Sequence, residues 1–391
     1  MSTAAKINLK IFITLFMAVF VTTMGAGLVA PLLPVYAHEL GAGGLQIGLI
    51  FGAFSLTRTL FVPYFGKLSD RKGKKPLLTT GLFVYFLTSL LYTLSKSVDS
   101  LILLRLGQGF ASAMILPVAQ AYIGEITPRD MEGRVMGLFN VSLYGGLSAG
   151  PVMGGLVKDW FNIQASFLGM AILTFAGFML CLVFLPRERV KGGQCIPYSE
   201  SKGPVPYLKL MRIPSVFSLF AFRTCFTTCI GITWAFLPLL ASTRMALSSA
   251  EIGTVVMINV LTAGFLQVPM GYLADRFSKK ILTISGGILA MLAVLFLDRA
   301  GSLVGLILAN GAIGLAGGVS FPAIMAYGVI EGRRVGAMGS IMGLLALGHS
   351  LGMLAGPVLG GVLLDFSSFG AIFIFGAVAL AAGTALFWRN I

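Results

Sequence analysis

The sequence predicts an all-α polytopic membrane protein with twelve transmembrane helices in two pseudo-symmetric six-helix bundles. Three observations carry this expectation. Of the 391 residues, 57% are hydrophobic and only 11% charged, with a mean hydropathy of +0.93. A water-soluble chain of this size must cover its surface with polar groups and has no use for so much apolar side chain. Apolar stretches of about 20 residues recur from end to end, each long enough for a hydrocarbon layer of roughly 30 Å. The chain also repeats itself at an offset of about 205 residues. Gly66-Lys67-Leu68-Ser69-Asp70-Arg71 returns as Gly271-Tyr272-Leu273-Ala274-Asp275-Arg276, and Pro117, Ala121 and Tyr122 return as Pro322, Ala326 and Tyr327. Gly150, Pro151, Gly154 and Gly155 return as Gly356, Pro357, Gly360 and Gly361. Two parallel halves of this kind are the footprint of a transporter built from repeats.

In order, the expected spans cover about 11–37, 46–66, 76–95, 100–122, 133–157 and 165–185, then about 215–241, 250–271, 280–297, 302–327, 335–363 and 369–388. Residues 1–185 thus form an N-terminal bundle and 215–391 a C-terminal one. Between them 186–214, rich in Gly, Pro, Ser and basic residues, reads as a linker. The first apolar run, preceded by Lys6 and Lys10, is too long for a signal peptide and is expected to remain as a helix.

The formal charge of +14 would suit a nucleic-acid partner, but its placement argues otherwise. Of 28 Lys and Arg, only Lys96, Lys158, Arg244 and Arg299 fall on the side away from Gly66–Lys75, and Arg58, Arg105 and Arg223 fall within spans. The rest share one side, which the positive-inside rule assigns to the cytoplasm together with both termini. The expected setting is the inner or plasma membrane, with the lipid bilayer as partner and no nucleic acid. Cys225 and Cys229 lie one helical turn apart, an incomplete ligand set, so no metal site is expected.

The densest charge is Gly66-Lys67-Leu68-Ser69-Asp70-Arg71-Lys72-Gly73-Lys74-Lys75, a short loop between two apolar runs. Its glycines permit a tight turn and its cations resist crossing a bilayer. It resembles, position by position, the G-x-L-[SA]-D-R-x-G-[RK]-[RK] signature of the major facilitator superfamily. That resemblance implies an alternating-access fold in which Asp70, with Arg71, latches the halves together on the cytoplasmic side. Asp275 and Arg276 are the repeat's counterparts.

Gly137, Gly146, Gly150, Pro151, Gly154 and Gly155 match the antiporter motif of the drug-exporting branches. Small residues let helices approach closely, and proline permits a bend. The same spacing recurs at Gly343, Gly352, Gly356, Pro357, Gly360 and Gly361. Gly25, Gly27, Pro31 and Pro34 are similar to the first helix of the tetracycline- and multidrug-efflux branch. Arg105, Gln108 and Gly109 look like the superfamily's R-x-x-Q-G, in which the arginine is implicated in coupling. A structural bond from Arg105 to backbone carbonyls is the alternative.

Efflux relatives carry an acidic residue near the position of Thr22, and by this topology none of the 14 Asp and Glu lies in mid-membrane. His349 is then the only buried candidate for carrying a proton, with a satisfied core histidine as its alternative. Arg58 and Arg223 can both snorkel to the cytoplasmic interface; Arg58 is the better candidate to face a central cavity instead, whereas Arg223, near the start of its span, is expected to snorkel. Thr22, Arg58, Asn140, Arg223, Trp234, Asn259, Gln267, Asn310 and Phe321 are the candidate cavity residues.

The expected function is secondary active transport, led by proton-coupled export of amphiphilic small molecules, with no cofactor beyond the proton gradient and the single chain as working unit. Carriage of a small organic anion on Arg58 or Arg105 is the second reading. A sensor that has lost transport is the third. No His-Glu-x-x-His, paired mid-membrane aspartates or serine nucleophile elbow supports an enzyme.

Overall fold

The computed structural model describes residues 8–127, 132–186 and 207–391, apart from the side chains of Lys67, Asp70, Arg71, Glu132, Arg134, Asp275 and Met338. Inside a bilayer the backbone has no water to bond, so each spanning segment satisfies its own amides and carbonyls as a helix. In chain order these are α1 (Leu9–Val29), α2 (Leu32–Glu39), α3 (Gly44–Lys72), α4 (Lys74–Tyr92), α5 (Val98–Ile126), α6 (Glu132–Trp160) and α7 (Ile163–Phe184). After the four-residue α8 (Tyr207–Leu210) come α9 (Pro214–Met245), α10 (Ser249–Arg276), α11 (Lys279–Leu297), α12 (Leu303–Val335), α13 (Met338–Phe366) and α14 (Phe369–Asn390). There is no strand among the described residues. Among the described residues ten stretches are long and apolar enough to cross a bilayer, α1 and α2 counting together as one. The glycine-rich α6 and the lysine-started α4, with 29 and 19 residues, are also of crossing length and complete the twelve.

The first span, expected as one helix, is broken. Pro31 and Pro34 have no N–H to donate to the carbonyls of Gly27 and Ala30, so α1 stops at Val29 and α2 restarts at Leu32. The expected linker lies mostly outside the described residues, except for its last part, where α8 packs on α13.

The repeat is visible in the packing. In the first half α1 lies between α6 and α7, α3 against α5, and α4 against α5 and α7. In the second half α9 lies between α13 and α14, α10 against α12, and α11 against α12 and α14. The halves meet mainly along two seams, α6 with α10 and α3 with α13, with α2 also touching α9. One end of the molecule carries the α3–α4 connection and is called here the loop end; the other is the far end. Gly73, at φ 86°, makes the sharp turn between α3 and α4 that a side chain would strain.

Glycine sets the spacing on both faces of α6. On one face Gly146, Gly150 and Gly154 press against the backbone of α1 at Phe20, Met24 and Leu28. On the other, Gly155 meets Ser249 of α10, and Gly253 of α10 faces the Pro151 carbonyl. The second half repeats this arrangement. Gly352 and Gly356 press on Thr224 and Thr228 of α9, Gly361 meets Gly44 of α3, and Gly48 faces the Pro357 carbonyl. Towards the loop end a Cβ added at Gly66, Gly137 or Gly271 would meet nothing within 4 Å, although at Gly343 it would meet the Tyr207 hydroxyl of α8.

This difference is testable within one motif. Gly150→Ala forces a methyl into the Met24–Gly27 backbone and is expected to cost about 1–3 kcal/mol, read as a lower Tm of the purified protein. Gly137→Ala is expected to leave the Tm unchanged.

Candidate functional site

Among the described residues, the hydrogen bonds that cross between the halves run from mid-height to the far end and no further. At the far end the carboxylate of Asp159, ending α6, accepts from the Ser249 and Ala250 amides at 3.1 and 2.8 Å. Its repeat counterpart Asp365, ending α13, accepts from the Gly44 and Leu45 amides at 2.5 and 2.9 Å. Each aspartate therefore caps the first turn of a helix in the opposite half, where unpaired N–H groups and the helix dipole favour an anion. At mid-height Gln267 Nε2 donates to the Tyr144 hydroxyl at 3.3 Å. Neither of these aspartates, nor Tyr144, was among the residues expected from the sequence to act. The recurrence of Asp159 and Asp365 at the repeat offset, four residues after each Gly-Gly pair, was the signal available.

Where the seams part, several polar groups converge. Arg223 Nη2 donates to His349 Nδ1 at 3.3 Å, which puts the histidine's own proton on Nε2. The guanidinium lies 4.4 Å from the centre of the Phe321 ring, and its Nε is buried without a partner. Arg223 is therefore turned inward and does not snorkel. Its helix starts at Pro214, and the residue lies on the face that packs on α13. Arg58, which also acts on Tyr85 of α4 in its own bundle, approaches from the other half. His349 lies in the fields of both guanidiniums, and Tyr144 in that of Arg223. Arg58 is half-buried and makes no hydrogen bond or ion pair among the described residues. Asn140, one turn before Tyr144 on the same face of α6, is likewise half-buried and unbonded.

The other intramembrane cation is engaged differently. Arg105 Nε donates to the Ile50 carbonyl at 3.2 Å and Nη1 to Gln108 Oε1 at 3.3 Å, with the Phe51 and Phe54 rings beneath it. Gln108 also accepts from the Tyr92 hydroxyl at 3.1 Å and donates to Met170 Sδ at 3.5 Å. The pair ties α5 to α3, α4 and α7 inside one half.

Four cavity candidates sit elsewhere. Thr22 is buried against Gly177 of α7, its hydroxyl on the Ala18 carbonyl at 2.7 Å, and so faces its own bundle. Asn259 Nδ2 donates to the Asn310 carbonyl at 2.8 Å, and Asn310 Nδ2 to the Val255 carbonyl at 2.8 Å, pinning α10 to α12. With Trp234 these two asparagines line a void of about 10 Å³ beside Pro31.

In the signature loop, Lys74 pairs with Glu125 of α5, and Lys75 Nζ donates to the Leu182 and Leu185 carbonyls ending α7. These lysines fasten the loop end of the first half. Arg276 lies over the Tyr272 ring at 4.3 Å. The side chains of Asp70, Arg71 and Asp275 lie outside the described residues.

The profile of the Major Facilitator Superfamily matches residues 15–329 and again 219–391, an overlap expected of a chain made of two similar halves. The chain belongs to the Major Facilitator Superfamily. It is 25% identical to Multidrug resistance protein 2 of Bacillus subtilis (strain 168), covering 97% of this chain and 95% of that protein. It is 26% identical to the quinolone resistance protein NorA of Staphylococcus aureus, covering 96% and 95%. Among solved structures, the nucleoside transporter NupG (D323A mutant) superposes with a TM-score of 0.82 at 14% identity, covering 97% of this chain and 100% of that one. This member of the superfamily thus shares its all-α fold with transporters.

Arg105→Gln is expected to lower the Tm, since it strips a charge-assisted bond worth roughly 1.5–3 kcal/mol and leaves Gln108 short of a donor. Arg58→Gln, which breaks no bond within the described residues, is expected to leave the Tm unchanged or raise it.

Proposed function

We propose that this membrane transporter exports amphiphilic small molecules by alternating access, driven by the proton gradient. The observation that carries the reading is the shape of the seam. The halves are joined at the far end by the two aspartate caps, and among the described residues no hydrogen bond joins them between the Gln267–Tyr144 pair and the loop end, where we take them to part. Polar groups from both halves, Arg58, Asn140 and Tyr144 with Arg223, Gln267 and His349, lie at the point of parting. With the basic loops on the cytoplasmic side, this is an inward-open arrangement in which a cytoplasmic solute reaches the centre of the bilayer.

The relatives named for multidrug and quinolone resistance support export as the direction. Each cap is an exposed carboxylate on a helix N-terminus, worth roughly 0.3–1 kcal/mol. Two together hold the far end shut without locking it, since inverting a two-state population takes only about 5.5 kcal/mol. Among the groups gathered at the parting point His349 is our candidate for sensing protons, with two guanidiniums opposing its charging while no anion is bound. Arg105 and Gln108 keep the first half rigid as it rocks. One chain contains every group in this scheme.

The test is flux from proteoliposomes containing the purified protein and loaded with ethidium, Nile Red or 2-naphthoate. A proton gradient of the physiological sense is expected to speed the transport of at least one probe several-fold, and an uncoupler to abolish the effect. Failure of all three probes to move would leave a fold without transport and favour a sensor. His349→Gln is expected to remove the dependence on the gradient while leaving downhill movement of the probe.

A further inference from the structure

Resting on that export reading, we infer that Arg58 and Arg223 form the two sides of a site for the anionic head of an amphiphilic substrate, a small organic carboxylate. Every one of the 14 acidic residues falls near a helix end, between helices, or outside the described residues, so neither arginine has a counter-charge within the span. Arg58 has no bonded partner among the described residues. Arg223 is bonded only through Nη2, to a neutral imidazole nitrogen, while its Nε stays buried and unpaired. A charged group in low dielectric is tolerated only when paired or wet, and both cations act on the same histidine. A carboxylate between them supplies the missing partner and can accept from both guanidiniums.

The surroundings fit an amphiphile. Tyr144 accepts from Gln267 and keeps its own O–H to give, and the unbonded Asn140 amide lies one turn away. The Phe321 ring beneath Arg223 offers an apolar wall for the body of the ligand. Snorkelling does not account for Arg58, which stands eight residues before the apolar span ends at Gly66, roughly 12 Å along the helix and more than its side chain spans. A cationic substrate would meet two like charges and no carboxylate.

The site also links binding to movement. While the loop end is open, water can solvate both cations. Closing that end expels the water and brings the two charges together, which the empty protein resists. A bound carboxylate removes the penalty, so the ligand favours the closed-up state by its differential affinity.

The test measures binding of three naphthalene compounds of one shape to the purified full chain: 2-naphthoate, 2-naphthalenemethanol and 2-naphthylmethylammonium. The carboxylate is expected to bind at least tenfold more tightly than the other two. Arg58→Gln and Arg223→Gln are each expected to weaken it at least tenfold, and Arg58→Lys less than Arg58→Gln. Should Arg223→Gln fail to fold, the Arg58 variants carry the comparison alone. Equal binding of the ammonium compound, or naphthoate affinity unchanged by these substitutions, would overturn the site. Phosphate or sulfate binding as tightly as naphthoate would overturn the amphiphilic part. Gradient-driven transport of ethidium or Nile Red without naphthoate binding defeats this inference and leaves export standing. Naphthoate binding with no flux of any probe does the reverse.

Discussion

The closed seam depends on backbone meeting backbone across α6 and α13. In lipid there is no hydrophobic drive pressing one helix on another, so contact must come from close packing and from satisfied polar groups. Glycine at Gly150 and Gly154, with Gly155 on the opposite face, lets α6 serve two partners, α1 within its bundle and α10 across the seam. The twin motif does the same for α13. The aspartate caps follow from this closeness, because a short carboxylate reaches the next helix's amides only when the helix ends are nearly touching.

Charge is arranged in a complementary way. Carboxylates stand at the ends of the helices, where they cap or pair. Cations stand inside, one committed to its own bundle and two left facing the space between the halves. Arg105, with a carbonyl, a glutamine and two aromatic rings around it, behaves as part of the scaffold. Arg58 has no bonded partner among the described residues and Arg223 bonds only an imidazole above the Phe321 ring, so in our proposal the group that completes them comes from outside the chain.

Much of this was legible in the sequence, and the gaps have physical causes. Hydropathy finds spans because a bilayer demands length and apolarity of each segment separately, and the repeat reveals the two halves without any knowledge of contacts. Direction is what hydropathy cannot supply. Thr22 was expected in the cavity and turns towards α7, and Arg223 was expected at the interface and turns inward. Which way a side chain points depends on a helix's rotation, fixed by neighbours distant in sequence. The break at Pro31 was readable from the missing N–H groups, yet an unbroken apolar run concealed it. Asp159 and Asp365 were visible as charges, while their partners, backbone amides some 90 and 320 residues away, have no signature of their own.

The glycines that face the seam differ in kind from those that face a bundle. Gly48 and Gly253 lie against the Pro357 and Pro151 carbonyls of the opposite half. A methyl group at either position leaves the fold of each bundle alone and obstructs only their meeting. Such a residue acts as a doorstop: it selects for the conformation in which the far end stands open. The spacing that lets the halves meet at the far end is thus also a built-in handle for holding them apart.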